Sequence, residues 1–459
     1  MTRPPGTGAI VARLERLPPS RAIWSLVALI SLGGAFEFYD LMMTAYISPV
    51  LARAGLFHTH GLFGAPDQAS FVAATFLGLF IGTIGVSRLA DRFGRKRVFV
   101  AALLWYSAAA AVMALQSSAL GIDVWRLVAG VGIGVQLVTI DAYIAELVPK
   151  SVRGRAFAVN QSIQFLAVPI VAFAAWKLGP LTIWGVAGWR WVVLLGVGAA
   201  IAVWFIQQRL PESPRWLAEH GRLEEADRIL TRLEAKIANE TGRPLPPVEP
   251  RAAVETVHGR LVEIFRAPLA GRTALLIVLN VFQAVGFYGF TNWAPTFLAA
   301  QGVRFAESLQ YGFIIAAAYP VGPLLWSTIA ERFERKWLVV AAAAGTGVLG
   351  LAFAASRAPA ALVTLGVAIN FSNNLLSFSY HAYQAELYPT RIRASAVGFV
   401  YSWSRLSTVG SSYVIAWLLG LAGAPGAFGF IAAAMAVVVV SVGAFGPPTR
   451  GKALEAIAN

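Results

Sequence analysis

Cysteine is absent from the 459 residues, which excludes disulfides and thiolate metal sites and leaves the redox compartment unreadable. Only five histidines are present, and none has the spacing of metal ligands, so neither a metal nor another cofactor is expected. Charge is scarce as well: 13% of residues are Asp, Glu, Lys or Arg, and 57% are hydrophobic. A soluble chain carries roughly 25% charged residues. With a mean hydropathy of +0.65, this chain cannot be a soluble globule. No nucleophile elbow, clustered metal site or phosphate-binding loop stands out, so an enzyme is not expected. The net charge of +14 invites a nucleic-acid reading. The basic residues, however, fall in short clusters between apolar runs rather than on one polar face, and the lipid bilayer is the better partner.

Long apolar runs take the place of what is missing. A membrane-crossing helix needs about 20 mostly apolar residues, and about twelve such runs can be counted. Six lie near 23–51, 69–87, 98–116, 122–147, 156–178 and 190–208, and six near 273–299, 310–330, 337–355, 360–387, 395–421 and 427–446. The basic turn Ser87-Arg88-Leu89-Ala90-Asp91-Arg92-Phe93-Gly94-Arg95-Lys96 recurs 240 positions later as Ser327-Thr328-Ile329-Ala330-Glu331-Arg332-Phe333-Glu334-Arg335-Lys336. A repeat at half-chain spacing in so apolar a chain predicts an all-α integral membrane protein of two pseudo-symmetric six-helix halves, the architecture of a transporter. The expected divisions are 1–208, a linker at 209–271 with short helices, and 272–459. Few large apolar side chains occur in the linker, too few to bury a core of its own.

Lys and Arg concentrate in alternate loops: 88–97, 150–155, 332–336 and 391–393. By the positive-inside rule those loops, the linker and both termini are cytoplasmic. No cleavable signal is evident, because the first apolar run is too long. Multi-pass residence in a bacterial inner membrane, functioning as a monomer, is the expectation.

The repeated turn resembles the loop signature of the major facilitator superfamily, with Ser87 in place of its first glycine, and Glu331 and Glu334 departing from it in the second copy. Three further stretches are similar to the sugar-porter branch and its organic-ion relatives. These are Glu146-Leu147-Val148-Pro149 with Arg153-Gly154, its counterpart Glu386-Leu387-Tyr388-Pro389 with Arg393, and Pro211-Glu212-Ser213-Pro214-Arg215-Trp216-Leu217. The seventh run departs from the sugar pattern, keeping Gln283 but lacking the second glutamine and the asparagine. Its Tyr288-Gly289-Phe290-Thr291-Asn292-Trp293-Ala294-Pro295-Thr296 is similar instead to bacterial carriers of aromatic acids, nicotinate and related organic acids. In the loops, an acid can cap a neighbouring helix and pair with arginines. Asp91, Arg92, Arg95, Glu146, Arg153, Glu331, Arg332, Glu386 and Arg393 are therefore candidate gating residues, unless the arginines only set topology. Asp141 is placed with the gate as well.

Ionisable side chains within apolar runs are costly and are functional candidates by default. Asp40, in Phe38-Tyr39-Asp40, matches the acid of proton-coupled sugar porters, and Arg126 sits where those relatives place its partner. A carboxylate alternating between an arginine and a proton would couple transport to a proton gradient; a permanent structural pair is the alternative. Glu37, three residues before Asp40, shares that role or contacts solute. Arg405, about eleven residues into the eleventh run, suits a carboxylate through paired hydrogen bonds. Gln161, Gln164, Gln283, Tyr288, Asn292, Trp293, Asn370, Asn374, Ser377, His381 and Trp403 complete a candidate pocket, Asn370, Asn374, Ser377 and His381 recurring at helical spacing. The expected function is proton-coupled symport of a small organic carboxylate, aromatic ones included. A carrier of a neutral or cationic solute, or a facilitator without coupling, is the alternative.

Overall fold

The computed structural model describes residues 6–86, 88–248, 260–329, 332–389 and 391–449. Eleven of its helices are long and apolar enough to cross a membrane. The last, α18 (Arg393–Phe445), has 53 residues. That is about 80 Å of helix against roughly 30 Å of hydrocarbon, and the chain resolves the excess by folding back at Gly423, φ 65° and ψ −160°, just before Pro425. Only glycine adopts such a conformation cheaply. Twelve passes result, the expected number.

In the first half the passes are α2 (Arg21–Arg53), α3 (Asp67–Ile81), α5 (Arg95–Met113), α6 (Ala119–Leu147), the pair α7 (Arg153–Phe165) and α8 (Ala167–Leu178), and α9 (Gly188–Gln207). A six-residue helix, α4 (Arg88–Phe93), carries the basic turn. In the second half they are α12 (Leu269–Thr291) continued by α13 (Ala294–Ala300), α14 (Phe305–Ala316) continued by α15 (Val321–Ile329), α16 (Arg335–Ala355), α17 (Pro359–Glu386) and the two passes of α18. Serines cap where the chain enters: Ser20 accepts from the Ile23 N–H and Ser118 from the Gly121 N–H.

With every backbone polar group bonded inside its own helix, the helices hold together by close packing. Gly78 of α3 and Gly82, just past its end, face Gly130 and Gly134 of α6, and a Cβ on Gly78, Gly130 or Gly134 would strike the carbonyl of Leu127, Thr75 or Leu79 respectively. These small residues bring two backbones into contact just below Arg126, so its side chain reaches α3.

One helix was not anticipated. α1 (Thr7–Glu15) lies against the linker helices α10 (Pro214–Glu219) and α11 (Leu223–Thr241). Arg13 pairs with Asp227 at 2.5 Å and Glu234 at 2.6 Å, and Arg16 with Glu234 at 2.7 Å. Burial opposes the charge of Glu234, but these arginines outweigh it and hold the carboxyl below its usual range. Glu15 is likewise held low: the Lys150 N–H, Arg215 and Arg153 overcome its desolvation.

Candidate functional site

The two halves meet tightly at the end away from the basic loops. Gln68 at the start of α3 donates to the Asn292 carbonyl at 3.3 Å and accepts from Thr296 at 2.9 Å. The Arg53 guanidinium lies 4.6 Å over the Phe305 ring, and Phe63 sits edge-on to Tyr413. At the basic end, by contrast, Asp141 and His381 are exposed although both lie within spans. Each is one to two turns from its helix end, so water enters about 7–9 Å from that side. Exposed polar side chains within spans thus mark the basic end, where α7 and α15 nevertheless keep the two halves in contact.

Deeper in, the chamber is aromatic and holds one conspicuous cation. Arg405 is 1% exposed. Nη1 donates to the Tyr288 hydroxyl at 2.5 Å and Nη2 to the Tyr401 hydroxyl at 2.7 Å, while Nε has no partner. The rings of Tyr401, Tyr288 and Phe76 lie 4.6, 5.5 and 6.0 Å from its central carbon. Among the described residues no carboxylate pairs with it. Phe76 meets Tyr288 edge-on across the halves at 4.5 Å, and Phe165 meets Tyr319 at 5.5 Å. From the facing wall comes Glu37, fully buried, with both carboxylate oxygens lacking a hydrogen-bond partner.

Asp40 and Arg126 do come together, as expected. Arg126 Nη1 donates to Asp40 Oδ2 at 2.7 Å; Nη2 reaches the Asp40 carbonyl at 2.5 Å and Thr44 Oγ1 at 2.7 Å; Nε reaches Thr75 Oγ1 at 2.9 Å. Arg126 is completely buried, with Phe71 over its face. The two acids of α2 therefore differ: Asp40 is bound and Glu37 is not.

Other pocket candidates scatter. His381 joins the site, its ring 5.1 Å from Tyr401, and its Nδ1–H donates to the Ser377 carbonyl at 2.7 Å, leaving Nε2 as an acceptor beside Tyr380. Gln283 is buried with Nε2 unpartnered, and so are both side-chain polar atoms of Asn292, whose backbone serves the closed end. Asn370 donates to the Ile315 carbonyl and Asn374 to the Asn370 carbonyl, so those amide nitrogens are spent on packing α17. Gln164 donates to Asn160 and packs on Gly34; Gln161 is half-buried. Trp293 belongs to the apolar core of the second half, stacked on Phe297. Trp403 is 37% exposed next to Phe399, about half a turn from Arg405 on the same helix, so it does not share the face of Arg405. Tyr401 was missed, although its place four residues before Arg405 on one helix was available as a signal.

The loop residues form two matching clusters, each within one half. Arg95 pairs with Glu146 at 2.9 Å and Arg335 with Glu386 at 2.6 Å, both across 51 positions. Arg153 and Arg393 each reach back to a carbonyl five residues earlier, Val148 and Tyr388. Asp91 pairs with Arg95 at 2.5 Å, and its carbonyl accepts from Trp216 Nε1 at 2.7 Å. Glu212, unanticipated, accepts the Arg95 and Lys96 backbone N–H groups, capping α5. Arg92 and Arg332 are exposed, and Arg92 lies over Phe93. Glu331 falls outside the described residues.

Comparison with known proteins places this arrangement. A putative metabolite transport protein of Bacillus subtilis, YyaJ, is 32% identical over 444 residues, covering 96% of each chain. The niacin transporter NiaP of Acinetobacter baylyi is 27% identical over 457 residues, covering 98% of this chain and 99% of its own. Among solved structures, a partially occluded inward-open conformation of the xylose transporter XylE from E. coli matches with a TM-score of 0.74 at 20% identity, covering 95% of this chain and all of that one. The family described as "Sugar (and other) transporter" matches residues 26–459. With this match over nearly the whole length and the twelve-pass, two-half fold around a central chamber, the chain belongs to that family of the major facilitator superfamily, multi-pass secondary transporters and not enzymes.

Proposed function

We infer that the protein carries a small organic carboxylate, aromatic ones included, into the cell by proton-coupled alternating access. Arg405 carries this reading. A buried guanidinium with an unpaired Nε–H, two phenols on its flanks and no carboxylate partner is a cation kept ready for an anion. The surrounding rings suit a flat apolar body attached to that anion. A relative at 27% identity is named for niacin, itself an aromatic carboxylate.

Coupling follows from charge. An ionised carboxylate buried without partners costs several kcal/mol, so Glu37 is the acid suited to take up and release a proton. Counting Glu37, Arg405 and the solute alone, the form with solute anion on Arg405 and proton on Glu37 carries no net charge, and with neither bound Glu37 and Arg405 cancel. Either half-loaded form leaves one unbalanced charge in a dry site, and such a form reorients poorly. One proton therefore moves with one monoanion. Asp40, balanced by Arg126, keeps that second pair neutral throughout. By the positive-inside rule the basic end faces the cytoplasm of a bacterial inner membrane, with both termini there. The two ion-pair clusters tie helix ends within each half as the halves rock.

A neutral solute is the second reading, supported by the buried, unsatisfied Gln283 Nε2 and Asn374 Oδ1, which hydroxyl groups would pair. Uptake by proteoliposomes across a panel of organic acids, sugars and cations, with and without an inward proton gradient, decides. Accumulation of an acid only when the gradient is present supports the first reading. Gradient-independent uptake of a sugar overturns it.

A further inference from the structure

The linker helix α11 is divided lengthwise by charge. Asp227, Thr231 and Glu234 are engaged by Arg13 and Arg16 of the N-terminal helix. On another face, Arg228, Arg232 and Lys236 are exposed at successive four-residue intervals, and no hydrogen bond or ion pair engages any of them among the described residues. Like charges at that spacing repel; Glu224 and Glu240 stand at the two ends of the row, and Glu240 is taken up by the Ala22 N–H at 3.0 Å. Next to this stripe Ile229 and Leu233 look across a groove of about 660 Å³ toward Leu26, Leu29 and Leu32 of α2. Arg209, also exposed and unpaired, closes the groove's rim together with Arg232 and Lys236, and no acid lines it.

The axial positions suit a lipid. α2 begins at Arg21, and its Leu26 to Leu32 face lies about 8 to 16 Å along the helix. At 33 residues and about 50 Å the helix exceeds a hydrocarbon layer roughly 30 Å thick, so this face stands where headgroups give way to acyl chain. The basic rim stands at the helix entrance, where headgroups lie. An apolar wall continuous with the lipid-facing surface and topped by three unpaired cations matches an acyl chain ending in a phosphate. Water, a soluble anion or an apolar peptide would satisfy only one of the two parts.

The geometry points to this groove as a binding site for one anionic glycerophospholipid of the cytoplasmic leaflet. Its phosphate is held by Arg209, Arg232 and Lys236, and its chain lies between α2 and α11. The lipid bridges the linker to the first span, the helix that carries Glu37 and Asp40, and so clamps the linker onto the first half.

Native mass spectrometry of the full chain from nanodiscs containing phosphatidylglycerol and phosphatidylcholine tests this. The parent should retain phosphatidylglycerol over phosphatidylcholine by at least about tenfold. The triple change Arg209→Gln, Arg232→Gln, Lys236→Gln should abolish that preference, since all three side chains are exposed and the fold does not depend on them. Leu29→Trp, which fills the groove without altering charge, should abolish it too. Arg155→Gln, an exposed basic residue of the same end outside the groove, should leave it intact. Three results would overturn the site: retention unchanged in the triple variant, retention unchanged in Leu29→Trp, which would mean only diffuse surface attraction, or equal displacement by glycerol phosphate in solution, which would mean a phosphate site without a lipid.

Discussion

The sharpest consequence of the site concerns Arg405→Ala. In the parent the guanidinium spends one N–H on Tyr288 and one on Tyr401, and its Nε–H is unused. A solute carboxylate would add charge-assisted hydrogen bonds, each worth about 1.5–3 kcal/mol. Losing one such interaction corresponds to about 10- to 150-fold weaker binding, and losing a bidentate pair to more. The two phenols lose a partner in the mutant as well, and that cost falls on every solute equally. The informative quantity is therefore a difference between solutes. Binding of the preferred acid and of its methyl ester should be measured by scintillation proximity on purified parent, Arg405→Ala and Arg405→Lys. The acid should weaken by at least about tenfold more than the ester in Arg405→Ala. Arg405→Lys should fall between, because ammonium keeps the charge but loses the planar fork. If acid and ester weaken alike, Arg405 only braces Tyr288 and Tyr401, and the carboxylate reading falls with it.

Glu37→Gln imitates the protonated acid at a site without partners, so proton-driven accumulation should vanish while exchange of labelled solute persists; accumulation at the parent level would refute the role of Glu37. Asp40→Asn leaves Arg126 as an uncompensated buried charge, at a cost of about 3–5 kcal/mol, and thermal unfolding should show a clearly lower midpoint than in Glu37→Gln. Equal midpoints would contradict the contrast between a bound and an unbound acid. Gly130→Val places a side chain against the Thr75 carbonyl. Forced separation of α3 from α6 should cost about 1–3 kcal/mol and pull Arg126 away from Thr75, seen as reduced thermal stability and reduced transport; parent-like stability would argue against the close approach. Acid should loosen the N-terminal clamp. Glu15 and Glu234 have carboxyls held below their unfolded values, so their stabilisation is present above about pH 4.3 and is lost as pH falls through the lowered values. Spin labels on α1 and α11 should separate between pH 5 and pH 3, and an unchanged distance would refute the sign.

Residue pattern alone was enough for the membrane class, the number of passes and the two-half repeat, because burying backbone in hydrocarbon leaves a helix of about 20 apolar residues as the economical solution. The 240-position repeat extended further than its spelling: Arg95 with Glu146 and Arg335 with Glu386 close corresponding pairs. The Asp40 and Arg126 pairing was legible too, through the resemblance to proton-coupled sugar porters, which pair that acid with an arginine at the matching place. Tertiary structure alone decided which polar side chains serve a chamber and which serve packing. Asn370, Asn374, Ser377 and His381 share helical spacing, yet Asn370 and Asn374 donate to backbone carbonyls while His381 stands beside Tyr401. Trp403 and Arg405 are two residues apart, and helix geometry sends them to different sides. Glu37 and Asp40 look equivalent in sequence, and only the neighbours that other helices bring distinguish them: Arg126 binds Asp40, and among the described residues no hydrogen-bonding group meets Glu37. Local spacing determines the face a side chain occupies; what meets that face depends on contacts between residues far apart in the chain.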